Sequence, residues 1–144
     1  MPLGFEFRSA ARSDLDFCWS IYRDAMKPLT EAVGRWEEPV QHKLIEKAVH
    51  NVHTSILRQE GADAGWLQIE EGPQVVHLQQ LFLLPDRRNR GLGTAFLTWM
   101  KERAERKRKD LTLEVMSNNP ACRLYERLGF KPVTTADHKI TMRY

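Results

Sequence analysis

The 144-residue chain is 42% hydrophobic and 28% charged, with a net charge of +3. That is the composition of an ordinary globular protein, and one domain over residues 1–144 is expected. No run approaches the roughly 20 apolar residues of a membrane span, and residues 1–10 lack the basic start and apolar run of a signal peptide, so the expectation is a cytoplasmic location without a membrane partner. Cys18 and Cys122 read as free thiols of a reducing compartment, and no His/Cys spacing calls for a metal.

In chain order, Phe5–Ser9 alternates as a first strand. Ser13 is the expected cap of a helix with Leu15, Cys18, Trp19, Tyr22 and Met26 on one face, and Pro28 is its expected end. Residues 29–39 read as irregular, and 40–49 as a second short helix through Leu44, Ile45 and Ala48. Segments 53–59, 64–70 and 75–84 are expected strands, with turns at Glu60-Gly61 and Glu71-Gly72-Pro73, forming a three-stranded antiparallel meander. Residues 92–109 are long enough for a third helix, with a stripe of Leu92, Ala95, Phe96, Trp99 and Met100. A strand at 111–115 follows, then a short helix, and finally strands at 133–136 and Lys139–Arg143 that close as a hairpin. The chain has no repeats, low-complexity tracts or linkers.

The segment from Leu81 to Thr94 carries the most chemical information. An apolar strand runs through a basic, glycine-containing turn straight into a helix. Gly91 and Gly93 have no side chains to hold a ligand away from the backbone, and they sit where a new helix has unpaired N–H groups. Those donors and the helix dipole suit an anion, with Arg88 and Arg90 adding charge at the rim. A dinucleotide fingerprint is excluded because Phe96 stands where a third small residue is needed, and a Walker loop because Gly-Lys-Ser/Thr is absent. What remains is Arg-x-x-Gly-x-Gly, a pattern that plain turn chemistry also produces.

A second element decides between these readings. In residues 118–130, Asn119 is a good N-cap, with Pro120 at the first helical position. Ala121, Leu124, Tyr125 and Leu128 share a face, and Gly129 closes the C-terminus in the left-handed conformation. Together, Arg88, Gly91 and Gly93 followed by Asn118, Ala121, Tyr125, Gly129 and Phe130 resemble the acyl-CoA signature of the GCN5-related N-acetyltransferase (GNAT) superfamily. The resemblance covers roughly the C-terminal half of the chain, and in the N-terminal half it extends only to the order of elements.

The resemblance implies an α/β fold: a twisted mixed sheet of about 6–7 strands flanked by about 4 helices. It also implies acetyl-CoA as cofactor, a primary amine as acceptor and direct attack of the amine on the thioester. The implied cofactor-binding residues are Leu81, Phe82 and Leu83 through their backbone, Arg88, Asn89, Arg90, Gly91, Leu92, Gly93 and Thr94 in the phosphate turn, and Asn118 and Tyr125. Tyr125 is the implied acid that reprotonates the leaving thiolate, while a plain packed aromatic is the alternative. Asn118 is implied to bond the pantetheine or pyrophosphate arm, unless it or Asn119 serves only as a cap.

His77 occupies the strand position, eleven residues before Arg88, where several superfamily members carry their base. Imidazole is suited to take the amine proton near neutral pH. Gln79, facing the same side, would only orient substrate or water, and Glu114, Glu70 or a water chain are the alternatives to His77. Cys122 reads as filler at a small-residue position, not as a nucleophile.

Acceptor specificity is expected from residues 29–39 and the helices around them. There Glu31, Glu37, Glu38 and Trp36 form a candidate acidic, aromatic rim for a cationic amine. The basic run 101–109 pairs Glu102 with Arg106 and Glu105 with Lys109 at helical spacing and has no interleaved aromatics. It therefore reads as a solvated helix face, and nucleic acid is not an expected partner. A homodimer is compatible with the sequence. A non-catalytic acyl-CoA sensor or interaction protein on the same scaffold is the alternative function.

Overall fold

The computed structural model describes residues 4–144. Its secondary structure is β1 (Phe5–Ser9), α1 (Leu15–Ala32), α2 (Glu38–Val49), β2 (Thr54–Gln59), β3 (Ala62–Glu71), β4 (Val75–Leu83), α3 (Leu92–Lys107), β5 (Asp110–Met116), α4 (Ala121–Arg127), β6 (Lys131–Ala136) and β7 (Lys139–Arg143). The strands form one sheet in the order β1-β2-β3-β4-β5-β7-β6. Its pairings are antiparallel at β1–β2, β2–β3, β5–β7 and β6–β7 and parallel at β4–β5. This is the mixed sheet with four helices that the resemblance implies.

Two compact units share the chain, with β3 and β4 passing through both: residues up to Gln68 with Gln80–Arg88 form one, and Ile69–Gln79 with Asn89–Tyr144 the other. In the first, Cys18, Ile21 and Tyr22 of α1 pack with Ile45, Ala48 and Val49 of α2 and with Ile56 and Trp66 of the strands, and Phe82 and Leu84 complete this core. The buried positions of α1 fall at helical spacing, and tertiary packing of such a stripe supplies most of a helix's stability. Arg8 ties the entry to α1: its guanidinium lies 2.8 Å from Asp14 and 3.0 Å from Asp63. Asp14 also accepts the Ala11 N–H at 2.8 Å.

β2 and β3 are offset by a bulge. Leu57 pairs with Gly65 but Arg58 with Asp63, which leaves Ala64 as the extra residue. Beside it the backbones of β3 and β4 come very close. The Ala64 carbonyl accepts the Leu84 N–H at 2.9 Å, and a Cβ on Gly65 would lie 2.2 Å from the Phe82 carbonyl oxygen. Gly65 is therefore a position of close backbone approach, where any side chain collides with the strand that carries Leu81–Leu83.

In the second unit, Val75 to Leu78 of β4 pair in parallel with Asp110 to Leu113 of β5, while β4 continues to Leu83 and β5 to Met116. α3 packs on β5 and buries Leu92, Phe96, Leu97, Met100 and Ala104. Trp99, an expected member of that stripe, is half-buried beneath the Arg103 guanidinium, 5.6 Å from its ring. Glu71 draws in Lys109 at 2.7 Å, Lys107 at 2.9 Å and Arg103 at 3.6 Å.

Several sequence expectations need correction. Pro28 does not end α1, which runs on to Ala32. The carbonyl that loses its i+4 donor belongs to Asp24, and both residues are exposed, so solvent can satisfy it. The irregular segment shrinks accordingly to residues 33–37, since α2 begins at Glu38. Ser13 is not the cap but lies inside a 3-10 turn, Arg12–Asp14, and Asp14 makes the polar contacts at this helix entry. β6 starts at Lys131, two residues earlier than expected.

Candidate functional site

The phosphate turn is built by local chain chemistry. Gly91, at φ 84° and ψ −3°, is the left-handed residue that turns the chain into α3, a conformation natural to glycine. Asn89, at φ 59°, is a second left-handed residue in the same turn. The first helical bond runs from the Ala95 N–H to the Gly91 carbonyl at 2.9 Å, so the N–H groups of Leu92, Gly93 and Thr94 precede any intrahelical acceptor. Among the described residues, and apart from the chain neighbours of Gly91, no atom lies within 4 Å of where a Cβ on Gly91 would stand. The backbone there is open to a ligand, as a phosphate cradle requires.

Arg88 is more constrained than a free rim charge. Its Nε donates to the Leu83 carbonyl at 3.0 Å, and one terminal amino group donates to Asp24 of α1 at 3.0 Å. The other, Nη2, is buried with no partner among the described residues. An unpaired buried donor costs about 1–3 kcal/mol. Gly91 thus opens α3 in the left-handed conformation, and Arg88 keeps one donor unmatched among the described residues.

On β4, Leu81, Phe82 and Leu83 are half-buried. The Phe82 ring turns into the core, 5.3 Å from both Tyr22 and Trp66. The Leu83 carbonyl accepts from Arg88. His77 sits further back on the strand, opposite Thr112 of β5. Its Nδ1 is 2.6 Å from the Thr112 hydroxyl, and its Nε2 is 3.9 Å from a Glu114 carboxylate oxygen. Gln79 donates to Glu70 at 2.8 Å. His77, Thr112 and Glu114 thus form one polar group, while Glu70 is engaged with Gln79.

α4 opens as its sequence dictates. The Asn119 side chain accepts the Ala121 N–H at 2.9 Å, so Asn119 performs the capping that was an alternative role for Asn118; Asn118 is exposed. Gly129 takes φ 97° just past the helix. The Tyr125 ring lies edge-on to Phe130 at 6.0 Å. Burial, with a smaller contribution from Cys122, pushes its phenol up to about 12. The group stays protonated at neutral pH, as a proton donor must. Burial also raises the Cys122 thiol, whose sulfur lies 3.5 Å from the Met116 carbonyl. A raised thiol is a poor nucleophile at neutral pH.

The expected acidic rim is depleted. Glu38 is bonded by Arg23 and lies 4.0 Å from Lys27 and 3.5 Å from the Trp36 indole nitrogen. Glu31 and Glu37 remain exposed. Trp19, Tyr22 and Trp36 form an aromatic cluster in which Tyr22 is buried and the two tryptophans are half-buried, with centroids 6.0–6.3 Å apart and planes within 28°. Three nearly parallel rings at equal spacing cannot all be stacked, so at least one pair lies side by side. Sequence reasoning missed Asp24 and Thr112. Each meets its partner only through tertiary pairing, and neither carries a local motif.

The chain matches the acetyltransferase (GNAT) family model over residues 16–130. It is 35% identical over 71 residues to an uncharacterized N-acetyltransferase of Methanocaldococcus jannaschii, and the match covers 48% of this chain and 31% of that protein. Among solved structures it resembles the ribosomal-protein-S18-alanine N-acetyltransferase of Escherichia coli, with a TM-score of 0.67 and 25% identity over 96% of this chain and 92% of the other. It also resembles the PaiA N-acetyltransferase of Thermoplasma acidophilum, solved in complex with coenzyme A. That match has a TM-score of 0.73 and 17% identity over 96% and 97% of the two chains.

Proposed function

We propose that this chain, which belongs to the acetyltransferase (GNAT) family, moves an acetyl group from acetyl-CoA to a primary amine. The observation that carries the reading is the family match across both signature segments, combined with a left-handed Gly91 that opens α3 onto an unhindered backbone. The acetyl thioester supplies an activated carbonyl and a thiolate leaving group. Everything else falls to the chain.

The first-turn N–H groups of Leu92, Gly93 and Thr94, with Arg88 and Arg90, hold the phosphates. The backbone of Leu81–Leu83 and the Asn118 side chain align the pantetheine arm, and the Leu83 N–H polarises the carbonyl. His77 lies six residues back along β4 from Leu83, roughly 20 Å at 3.3 Å per residue, so the ammonium proton reaches its Nε2 through water, while its Nδ1–H donates to the Thr112 hydroxyl and the Glu114 carboxylate faces the charge that forms. The amine nitrogen bonds the carbonyl carbon as the carbon–sulfur bond breaks, the Tyr125 hydroxyl delivers its proton to sulfur, and the proton that the nitrogen sheds on becoming an amide restores the phenol. The acceptor enters beside α1 and α2, where the half-buried Trp19 and Trp36 support a cationic or aromatic group. A cytoplasmic location is part of the proposal.

Thiol release from acetyl-CoA across a panel of small amines, polyamines, amino acids and peptide N-termini tests the reading, run in parallel on His77→Gln. At least one amine should accelerate thiol release, and the variant should lower the rate and flatten the acidic limb of its pH profile with that same amine. No release with any amine would refute the transferase, and an identical profile would remove His77 from the proton path.

A further inference from the structure

The three donor edges of Arg88 are all engaged or hidden. Nε is on the Leu83 carbonyl, one terminal nitrogen is on Asp24, and Nη2 is buried without a partner. A guanidinium grips a phosphate through two adjacent N–H groups in a fork. No adjacent pair is free here, because every pair includes a nitrogen that is bonded to protein or out of contact with solvent. Arg88 must therefore leave Asp24, Leu83 or both before it can grip a phosphate. Asp24 is about half exposed, with 54% of its side chain accessible, and it lies on α1, away from the signature segments.

We propose that Asp24 is an affinity-determining residue for the cofactor: its carboxylate competes with the CoA diphosphate for Arg88. This rests on the reading of Arg88 as a phosphate ligand. The unpartnered Nη2 shows that the held arrangement is incomplete, and transfer to a phosphate satisfies the donors that Asp24 and Leu83 leave over. The same movement restores the Leu83 carbonyl as a free acceptor on β4 and frees the Asp24 carboxylate on α1. Cofactor phosphates and the β4 backbone are thereby coupled through one arginine. Even without movement the sign is the same, since a carboxylate 3.0 Å from Arg88 repels an incoming phosphate and cancels part of the arginine's attraction.

Calorimetric titration of CoA into the parent, Asp24→Asn, Arg88→Gln and the double variant tests this without any acceptor. Removing one negative charge about 6 Å from a phosphate, at a surface dielectric between that of water and that of a partly buried site, should tighten binding by about 3–10-fold. Salt should erode that gain. Arg88→Gln should weaken binding by about 10-fold, and the gain from Asp24→Asn should be clearly smaller in the Arg88→Gln background, where only direct repulsion between carboxylate and phosphate remains, so the difference isolates the pair. If Arg88→Gln weakens binding but Asp24→Asn leaves it unchanged or weaker, the competition is refuted while the phosphate reading stands. If Arg88→Gln binds CoA as the parent does, the phosphate reading fails and the competition with it. If the glutamine variant does not fold, Arg88→Lys takes its place, since lysine retains charge without the fork and should reduce the Asp24→Asn effect.

Discussion

Gly65→Ala places one methyl group where the structure has no room for it. The added carbon would sit 2.2 Å from the Phe82 carbonyl oxygen and 3.1 Å from the Leu83 Cα, both backbone atoms. Restoring an ordinary carbon–oxygen separation of roughly 3.3 Å requires β3 and β4 to part by about 1 Å. The neighbouring bond from Leu84 to Ala64, 2.9 Å long, would then stretch beyond useful length, a loss of about 1 kcal/mol. Overpacking in a buried position adds about 1–3 kcal/mol. The expected total is about 3 kcal/mol. With an unfolding entropy near 2.1 cal/mol/K per residue, that lowers the Tm of a chain of this length by about 10 °C. Thermal and urea unfolding followed by circular dichroism measure both quantities. Because the displaced strand carries Leu81–Leu83, CoA affinity measured below the new Tm should fall as well. A folded Gly65→Ala protein with its Tm within roughly 2 °C of the parent would show that the close approach of β3 and β4 is not as described.

Tyr125→Phe keeps the ring against Phe130 and removes only the hydroxyl, so turnover should fall by about 10²-fold while the CoA Kd stays within a few-fold; steady-state kinetics with unchanged kcat would make the hydroxyl structural. Gly91→Asn tests the cradle, since asparagine accepts the left-handed conformation and would project into the open space where phosphate belongs. Calorimetry should show affinity lower by at least about 10-fold with the fold intact, whereas Gly91→Val adds about 1–2 kcal/mol of backbone strain and confounds the two effects. Glu71 is held down to about 2 by hydrogen bonds from Lys107 and then Lys109. A lowered carboxyl contributes stability that is present above its ordinary value near 4.5 and lost as pH falls toward 2. Glu71→Gln should therefore cost about 1 kcal/mol at pH 7 after allowance for solvent screening, and the parent's advantage should vanish across that acid window in urea titrations.

Whether a feature could be read from the sequence depended on its range. Gly91 and Gly129 announce left-handed turns, and Asn119 announces a cap, because the groups they satisfy lie within a few residues of them. Such short-range chemistry located both signature segments. Pro28 misleads for the opposite reason. Its local preference is to stop a helix, but the turns around it are held by the buried Cys18, Ile21, Tyr22 and Thr30, and packing outweighs one lost bond on an exposed face. Glu38 looks like a free acid for a cationic substrate until α1 and α2 meet and Arg23 claims it.

The two pairs that bear most directly on the site are the least visible of all. Thr112 reaches His77 across 35 residues and Asp24 reaches Arg88 across 64. The first depends on a parallel register that a slip of one residue would turn to the opposite face of the sheet. The second depends on α1 continuing as a helix through the turn that carries Asp24. A sequence pattern can therefore nominate the groups that touch a ligand through local motifs. The residues that hold those groups in place belong to the tertiary fold: Asp24 of α1 bonds Arg88, and Thr112 of β5 bonds His77.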